Sequence, residues 1–463
     1  MEGSSMTHAA DTLEALATAL PPESLVTDQP AMDAYRWDRA RDPNAGAPLA
    51  VVRASSTAEV QQAIRIAGAA GIPVVPRGAG SGLSGGSSAV AGGIVLSLDR
   101  MRSIEIDPAT RTATAEPGAL NAEVKAAAAA HGLWYPPDPS SFEFCSIGGN
   151  VATNAGGLCC VKYGVTTDYV LGMTVVLADG SAVTLGGPRL KDVAGLSLTK
   201  LFVGSEGTLG VITEVTLRLI PAQEARTTLV AAFPTLAAAT AAVLGITAEM
   251  RPAMLEFMDH ETIGAVEDQT RMGLDRDAAA MLVVQCDEPG EHAARLIERV
   301  AEICTAAGAS ECFATSDPEE GEAFAVARRI AIPAVERRGT LLLEDVGVPL
   351  PRLGDLVSGI SDISARRDVP IAVVAHAGDG NTHPLIVTDP GDPAQCARAD
   401  LAFGEIMDLA IRLGGTITGE HGVGRMKQPW LADYLGPDVM ELNRRVKRAL
   451  DPAGILNPGA VYG

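Results

Sequence analysis

The sequence is poor in aromatic residues, in cysteine and histidine, and in basic residues relative to acidic ones. Only 4% of its 463 residues are aromatic, and 36 Lys and Arg stand against 57 Asp and Glu, a formal net charge of −21. This shortage of basic charge argues against nucleic acid as a partner, because phosphate contacts need clustered Lys and Arg. With 47% hydrophobic residues the chain is not disordered, and its length fits two or three domains that each bury a core.

Seven cysteines without a C-x-x-C pair are too few for a disulfide framework, so we expect mostly buried thiols in a reducing compartment. No Lys or Arg precedes Arg36, so the basic start of a secretory signal is missing. The uncharged stretch 227–248 has the length of a membrane span, but Pro234 divides it into a strand, 228–233, and a helix. These absences predict a cytoplasmic protein without a membrane span. Peripheral association with the inner face of the membrane stays open.

The residue composition and the hydrophobic pattern change twice along the chain. After helical patterns at 11–20 and 57–71, short β-branched runs alternate with dense glycine up to about Pro221. These runs are 72–75, 94–98 and 173–177. Beyond Pro221, strand-like runs alternate with longer helical ones, which predicts a second α+β domain. The predicted strands are 228–233, 281–284, 340–343 and 371–375, and the predicted helices are 291–307, 319–329 and 397–413.

A glycine motif near residue 80 matches G-x-G-x-x-G, the pattern of a nicotinamide-binding Rossmann turn. Gly80, Gly82 and Gly85 follow a strand-like run, and Asp99 lies near the distance of a ribose-binding acid. However, the third glycine of a Rossmann turn opens a helix that holds the pyrophosphate. Residues 86–93 are instead small and glycine-rich and lead into a strand, so a Rossmann fold is not favoured.

The same loop, residues 77–86, is rich in backbone N–H donors that can form a nest for an anion. The alternative is a mobile surface loop. A second glycine cluster, Gly148-Gly149 with Gly156-Gly157, favours the nest, since two such clusters suit a dinucleotide diphosphate.

Three of the seven histidines fall in two C-terminal motifs. His376 ends a strand, and a Gly-Asp-Gly-Asn turn separates it from His383, so both imidazoles can reach one centre. Glu420 and His421 are adjacent in a glycine-flanked loop. Two histidines and a carboxylate form a common ligand set for a catalytic divalent metal. The alternative is three histidines with ordinary hydrogen bonds.

Taken together, these motifs resemble the FAD-linked D-2-hydroxyacid dehydrogenases of the vanillyl-alcohol-oxidase superfamily. Members include D-lactate dehydrogenases, the flavin subunit of glycolate oxidase and, as a cousin, D-2-hydroxyglutarate dehydrogenase. The resemblance covers residue 50 to the end of the chain in order. It rests on residues 76–82, 147–150, 154–157, 162–164, 204–213, 376–383, 419–422 and 454–458.

The resemblance implies an α+β fold, with a two-subdomain FAD-binding domain and an α+β cap domain for the substrate. We expect the FAD-binding domain at 1–222, including an N-terminal helical segment at 1–48. The cap domain with the metal site follows at 223–450, and a segment at 451–463 returns to the flavin. FAD is expected to be non-covalent, because the pyrophosphate loop carries Ser81 and no histidine or cysteine.

The resemblance also implies roles for individual residues. The metal, zinc or manganese, is assigned to His376, His383 and Glu420, and the catalytic proton acceptor to His421. Arg328 is assigned to the substrate carboxylate, although Ala325 replaces the family's tryptophan; otherwise it is an exposed helix charge. The residues implied to bind FAD are Pro76, Arg77, Gly78, Ala79, Gly80, Ser81, Gly82, Pro137, Asp138, Ser141, Ile147, Gly148, Asn150, Asn154, Gly157, Glu206, Gly210, Ile212 and Asn457.

The implied activity is oxidation of a small D-2-hydroxy acid, such as D-lactate or glycolate, to the 2-oxo acid. A hydride passes to flavin N5, and a metal and a histidine base assist. The implied electron acceptor is a quinone, a cytochrome or a flavoprotein, and a homodimer is left open. Four alternatives remain: a glycolate oxidase subunit inactive alone, a D-2-hydroxyglutarate dehydrogenase, a non-redox alkyl-glycerone-phosphate synthase and a zinc-binding interaction module.

The family's dicarboxylate enzymes carry a lysine at the position of Leu343. Glu344 and Asp345 follow it here and add negative charge. The sequence therefore predicts a monocarboxylate substrate, with D-2-hydroxyglutarate a poor one.

Overall fold

The computed structural model describes residues 2–224 and 226–462, and the chain divides into two compact units. Unit 1 comprises Met1–Ala155, Val165–Ala222 and Glu420–Gly463, and unit 2 comprises Gly156–Gly164 and Gln223–Gly419. No helix within the described ranges is long and apolar enough to cross a lipid bilayer.

Both units mix helices and strands. The helices are α1 (Glu2–Ala19), α2 (Gln29–Asp33), α3 (Thr57–Ala70), α4 (Asn121–Ala129), α5 (Ile147–Thr153), α6 (Cys160–Tyr163), α7 (Leu198–Phe202), α8 (Leu236–Glu249), α9 (His260–Thr270), α10 (Glu291–Ala306), α11 (Pro318–Arg329), α12 (Ala331–Glu336), α13 (Leu353–Arg367), α14 (Pro393–Arg412), α15 (Gln428–Leu435) and α16 (Pro437–Leu450). The strands are β1 (Leu25–Val26), β2 (Ala50–Arg53), β3 (Val74–Arg77), β4 (Ile94–Ser97), β5 (Ile104–Asp107), β6 (Thr112–Ala115), β7 (Leu133–Trp134), β8 (Val170–Val176), β9 (Ala182–Gly186), β10 (Val211–Arg218), β11 (Ile220–Pro221), β12 (Thr227–Phe233), β13 (Met254–Asp259), β14 (Ala280–Cys286), β15 (Glu311–Thr315), β16 (Thr340–Leu343), β17 (Val346–Gly347), β18 (Ile371–His376) and β19 (Asn381–Thr388).

The first sheet of unit 1 has the strand order β1-β2-β4-β3, in which β2, β4 and β3 run parallel. Helix α3 begins at the N-cap Ser56, whose side chain accepts a hydrogen bond from the Glu59 N–H, and ends at Gly71 with φ +64°. Its apolar face packs into the core of this sheet. The link from β3 to β4 is fully described and contains no helix. This confirms that the glycine motif does not form a Rossmann turn.

The second sheet of unit 1 is antiparallel, with the order β5-β6-β10-β8-β9. Val446 and Leu450 of α16 pack against its buried core. Residues 420–450 therefore belong to unit 1, whereas the sequence analysis placed them in the second domain. Val446 and Leu450 lie one turn apart on α16 and are partly buried against that core, which holds the helix on the second sheet of unit 1.

Unit 2 is built on one antiparallel sheet with the order β15-β12-β14-β13-β18-β19-β16, and β17 also pairs with β19. Helices α9, α11 and α12 cover one face of this sheet, and their apolar residues share a buried cluster with the strands. The uncharged stretch at 227–248 forms β12 and α8, as predicted. No disulfide bond forms among the residues that the structure describes.

Candidate active site

A row of polar side chains adjoins the apolar cluster of unit 2. Glu256 lies on β13 between two methionines of the buried cluster, on the same sheet face, because strand side chains alternate. The strand register pairs Glu256 with His376 of β18, and Val374 with His383 of β19. Two histidines and one glutamate therefore meet on neighbouring strands.

The imidazoles of His376 and His383 meet edge to face, with ring centroids 5.2 Å apart, and both residues are buried. Nδ1 of His376 lies 2.9 Å from Oε1 of Glu256. Oε2 of the same carboxylate lies 2.9 Å from Nη2 of Arg328 in α11. The side chains of Arg328 and Glu256 are each 1% exposed. This buried row of guanidinium, carboxylate and imidazole fixes the orientation of the His376 ring.

A second pair of acids follows β16. Glu344 and Asp345 are fully buried. Oδ2 of Asp345 accepts hydrogen bonds from Thr418 Oγ1, at 2.6 Å, and from the Gly419 N–H, at 3.0 Å. Its Oδ1 lies 3.7 Å from Nδ1 of His383. The residue immediately before Glu420 is thus held by the carboxylate next to His383.

The turn between the two histidines packs against a short segment of chain, residues 156–164. A Cβ atom on Gly378 would lie 2.5 Å from Cγ2 of Val161, so only glycine allows this approach. The buried carboxylate of Asp287 binds the Lys162 ammonium and accepts a hydrogen bond from the Tyr163 hydroxyl. Asp287 therefore fixes the segment that supports the turn.

Sequence reasoning did not identify Glu256 as a site residue. The signal that could have found it is a single acid inside the apolar strand Met254–Asp259, since a buried charge needs a partner. Arg328 is buried, so it is not an exposed helix charge.

The predicted anion loop of unit 1 follows β3. Gly80 and Gly85 have φ values of +73° and +76°, in the left-handed region that favours glycine. The amide groups of Gly80, Ser81 and Gly82 have no hydrogen-bond acceptor among the residues that the structure describes. A run of backbone donors of this kind suits a diphosphate.

The N-cap of α5 joins the two glycine clusters. The Ser146 hydroxyl oxygen accepts hydrogen bonds from the Ala79 N–H, at 3.1 Å, and the Gly149 N–H, at 3.4 Å. Gly148 must lack a side chain, because a Cβ atom would lie 2.4 Å from Cβ of Pro117. Residues 77–86 and the pair Gly148-Gly149 therefore form one loop surface within unit 1.

Several side chains predicted to bind FAD are engaged with the protein. Asn150 accepts a hydrogen bond from the amide of Asn121, and Asn154 accepts one from the Thr167 N–H. Asn457 donates to the carbonyl oxygens of Gly86 and Glu206. These side chains shape the loops around the predicted cofactor site.

The remaining residues predicted to bind FAD lie as follows. Pro76 and Arg77 end β3, Ile147 opens α5, and Gly78 lies beside Ser146. Pro137, Asp138 and Ser141 occupy the link between β7 and α5. Gly210 directly precedes β10, Ile212 is its second residue, and Gly157 belongs to unit 2. Ile212 lies in the buried core.

The loop that carries Glu420 and His421 opens the third segment of unit 1. Nε2 of His421 lies 3.7 Å from Oε1 of Glu420, so the two side chains lie close together, which a regular strand would prevent. The His421 carbonyl oxygen accepts a hydrogen bond from Ser84 Oγ at 3.1 Å. The loop of the predicted base is thus tied to the anion loop.

Comparison with known protein families shows the family of this chain. Residues 48–186 match the FAD binding domain model, and residues 222–461, more than half of the chain, match the model for FAD linked oxidases, C-terminal domain. The chain belongs to the FAD-linked oxidase family. The matched FAD-binding domain supports FAD as the cofactor, and the chain is an FAD-linked oxidoreductase.

Relatives in this FAD-linked oxidase family span nearly the whole chain. Glycolate oxidase subunit GlcD of Bacillus subtilis is 41% identical over 98% of this chain and 97% of that protein. D-lactate dehydrogenase of Archaeoglobus fulgidus is 34% identical over 93% of this chain and 96% of that protein. The chain is therefore of the GlcD and D-lactate dehydrogenase type.

Solved structures establish the fold. The structure of p-cresol methylhydroxylase with substrate bound superposes with a TM-score of 0.82 at 17% identity, covering 98% of this chain and 97% of that chain. The fold is the vanillyl-alcohol-oxidase type with FAD-binding and cap domains, as the sequence predicted.

Proposed function

We propose that this protein oxidises a small D-2-hydroxy monocarboxylate, such as D-lactate, or glycolate, to the 2-oxo acid. The observation that carries the proposal is the buried row of Arg328, Glu256, His376 and His383. It offers a cation for a substrate carboxylate and two imidazoles for a metal. The names of the relatives supply the substrate class.

FAD fits the loops of unit 1, because the donor amides at Gly80, Ser81 and Gly82 suit its diphosphate. We assign the pyrophosphate to residues 76–82 and the rest of the cofactor to the other predicted segments. Bound FAD supplies the two-electron acceptor that protein side chains cannot provide. Non-covalent binding stays a prediction: acid precipitation of the protein should release the yellow colour into the supernatant.

A divalent metal, zinc or manganese, fits the donors of His376 and His383, since buried imidazoles with nearby carboxylates are typical ligands. The resemblance adds Glu420, which directly follows the Gly419 held by Asp345. A bound metal ion would lower the pKa of a substrate hydroxyl group. Glu256 would hold His376 in the orientation required of a ligand.

The remaining roles fall to Arg328 and His421. A guanidinium suits a planar carboxylate because it donates two parallel hydrogen bonds. His421 would accept the proton of the substrate hydroxyl, a task suited to an imidazole near neutral pH. The burial of Arg328 and His376 excludes water from this chemistry.

The preference for a small substrate follows from the two acidic residues that come directly after β16. Glu344 and Asp345 are buried acids, and Leu343 packs against the apolar cluster. A second substrate carboxylate would meet negative charge there, which costs several kcal/mol when it is buried without a partner. We expect kcat/KM for D-2-hydroxyglutarate to be at least about 10²-fold below that for D-lactate.

The test is anaerobic mixing of the purified yellow protein with D-lactate, glycolate, D-2-hydroxybutyrate and D-2-hydroxyglutarate, with L-lactate as control. We expect the monocarboxylates to bleach the flavin spectrum. His421→Ala should slow the bleaching by about 10²- to 10⁴-fold. A preference for the dicarboxylate, or no bleaching by any 2-hydroxy acid, would contradict the proposal.

A second candidate is a flavin subunit that is inactive alone, because a relative is named as a subunit of glycolate oxidase. It predicts bleaching only after addition of co-purified partner chains. The electron acceptor, a homodimer, a cytoplasmic location and association with the inner face of the membrane stay predictions from the sequence.

A further inference from the structure

Glu206 is a buried acid in the turn between α7 and β10. Its backbone has a φ of +51°, a conformation that L side chains rarely adopt. Its N–H donates to the Ala152 carbonyl at 2.8 Å, and its own carbonyl accepts from Asn457 Nδ2 at 2.7 Å. Two segments distant in sequence thus fix one strained residue, and backbone strain of this kind concentrates at functional sites.

The Glu206 carboxylate holds the loop that carries His421. Oε1 accepts a hydrogen bond from the Val423 N–H at 2.7 Å, and Oε2 accepts one from the Gly424 N–H at 2.8 Å. A Cβ atom on Gly422 would lie 2.9 Å from the Glu206 carboxyl carbon, so glycine is required for this approach. Burial raises the pKa of Glu206 to about 7, while the two N–H donors oppose the rise.

The same loop is also fixed from the anion loop. Ser84 donates to the His421 carbonyl, and its own carbonyl accepts from the N–H groups of Arg425 and Met426. Arg425 Nη1 donates to the Gly85 carbonyl at 2.7 Å. Ser84 and Glu206 therefore hold both ends of the short stretch 421–424.

We propose that Glu206 is a positioning residue for His421: its two carboxylate oxygens fix the backbone that aims the imidazole. This inference rests on the proposed function, in which His421 accepts the substrate proton. Glutamine has one carbonyl oxygen and one NH₂ group. In Glu206→Gln one of the two backbone N–H groups therefore faces a donor, and the loop loses half of its anchor.

The test compares Glu206→Gln with Glu214→Gln, which alters an exposed acid on β10 of the same unit. We expect Glu206→Gln to keep its KM for D-lactate within about 2-fold and to lower the limiting rate of flavin reduction, expressed per bound FAD, by about 10- to 100-fold. A displacement of about 1 Å has an effect of this size. Glu214→Gln should behave as the parent protein.

The double variant Glu206→Gln, His421→Ala separates positioning from a general structural role. If Glu206 acts through His421, adding Glu206→Gln to His421→Ala has no further effect on the reduction rate. A further loss of about 10-fold, or a loss of FAD in proportion to the rate, overturns the inference.

Hydrogen exchange of the peptide 420–427 gives a readout that does not need the reaction. We expect exchange to accelerate about 10-fold in Glu206→Gln, with the peptide 211–218 unchanged. Unchanged exchange overturns the inference alone. A full reduction rate for His421→Ala overturns both the base assignment and the inference. If exchange accelerates in Glu206→Gln but no 2-hydroxy acid reduces the flavin, the proposed function is overturned, whereas the role of Glu206 in holding residues 421–424 is supported.

Discussion

His376 contacts a carboxylate oxygen of Glu256 through one ring nitrogen, and that carboxylate is shared with Arg328. Three buried polar groups thus depend on one another. Removing any of them changes the electrostatic environment of the other two, because buried charges need partners. This dependence makes single substitutions in the row informative.

In His376→Ala, the imidazole pair is lost and Glu256 keeps its contact with Arg328. We expect the metal content of the purified protein to fall by at least about 10-fold, while the flavin spectrum stays, since we assign the FAD pyrophosphate to residues 76–82 of unit 1. Mass spectrometry of bound metals and the visible spectrum measure the two quantities. His292→Ala on the exposed face of α10 is the control. Full metal content in His376→Ala would contradict the metal site.

Asp259 makes the stability of the protein depend on pH. It caps α9 by accepting hydrogen bonds from the N–H and hydroxyl of Thr262. Burial raises the pKa of Asp259 to about 6 from an ordinary value of 3.8. The folded state therefore binds the proton more tightly than the unfolded state, and this residue's contribution to the free energy of unfolding falls as pH rises from about 4 to about 6.

Asp259→Asn keeps a good helix cap but does not titrate. Relative to the parent, we expect the variant to gain about 1–3 kcal/mol in the free energy of unfolding between about pH 4 and pH 7. Urea unfolding at both pH values measures this difference. Parallel pH profiles for the two proteins would show that Asp259 does not titrate in this range.

At the scale of elements, the short helix α6 depends on Asp287, which lies just beyond the end of β14. Lys162 and Tyr163 of α6 both contact the buried Asp287 carboxylate. We expect Asp287→Ala to lower the free energy of unfolding by about 2–4 kcal/mol and to speed hydrogen exchange in residues 156–164. Asp277→Ala, at an exposed acid, should change neither quantity. Equal effects of both substitutions would show that Asp287 does not specifically stabilise α6.

The sequence predicted long elements better than short ones. The run 281–284 lies inside β14, because a continuous apolar run is typical of a fully buried strand, and 291–307 matches α10 within one residue, because its apolar residues recur with the helical period. Helices α5 and α6 were not predicted, since a few residues among glycines carry no periodic signal. The assignment of 420–450 to the second domain came from the family resemblance and from the change in sequence composition, neither of which reports packing. The side chains of Val446 and Leu450 show where that segment packs.

The candidate site shows the same limit. The spacing of His376 and His383 predicted their proximity, because a tight turn joins two neighbouring strands. Glu256 lies 120 residues from His376 in the chain, and only the pairing of β13 with β18 brings them together. The local sequence pattern does not show which strands pair or in what register. Glu256 could therefore not be predicted as the partner of His376.

At the scale of the whole molecule, the net charge of −21 acts on any charged electron acceptor. Like charges repel and salt screens the repulsion. We expect the rate constant for re-oxidation of the reduced protein by ferricyanide, an anion, to rise about 3- to 10-fold between about 0.01 M and 0.3 M salt. A neutral quinone is the control and should show no such rise. A ferricyanide rate that falls with salt would place a basic surface at the point of electron transfer.

Unit 1 is assembled from three separate stretches of chain, and residues 455–457 supply one of its last pieces. Val74 donates its N–H to the Ile455 carbonyl, and its own carbonyl accepts from the Asn457 N–H, each at 2.7 Å. The ribosome synthesises the chain from its N-terminus. About 380 residues are therefore added after β3 before these partners exist. Unit 2 is complete once Gly419 has emerged. The unit that is translated first therefore finishes folding last, and we infer that the cofactor is captured only after synthesis has passed residue 457.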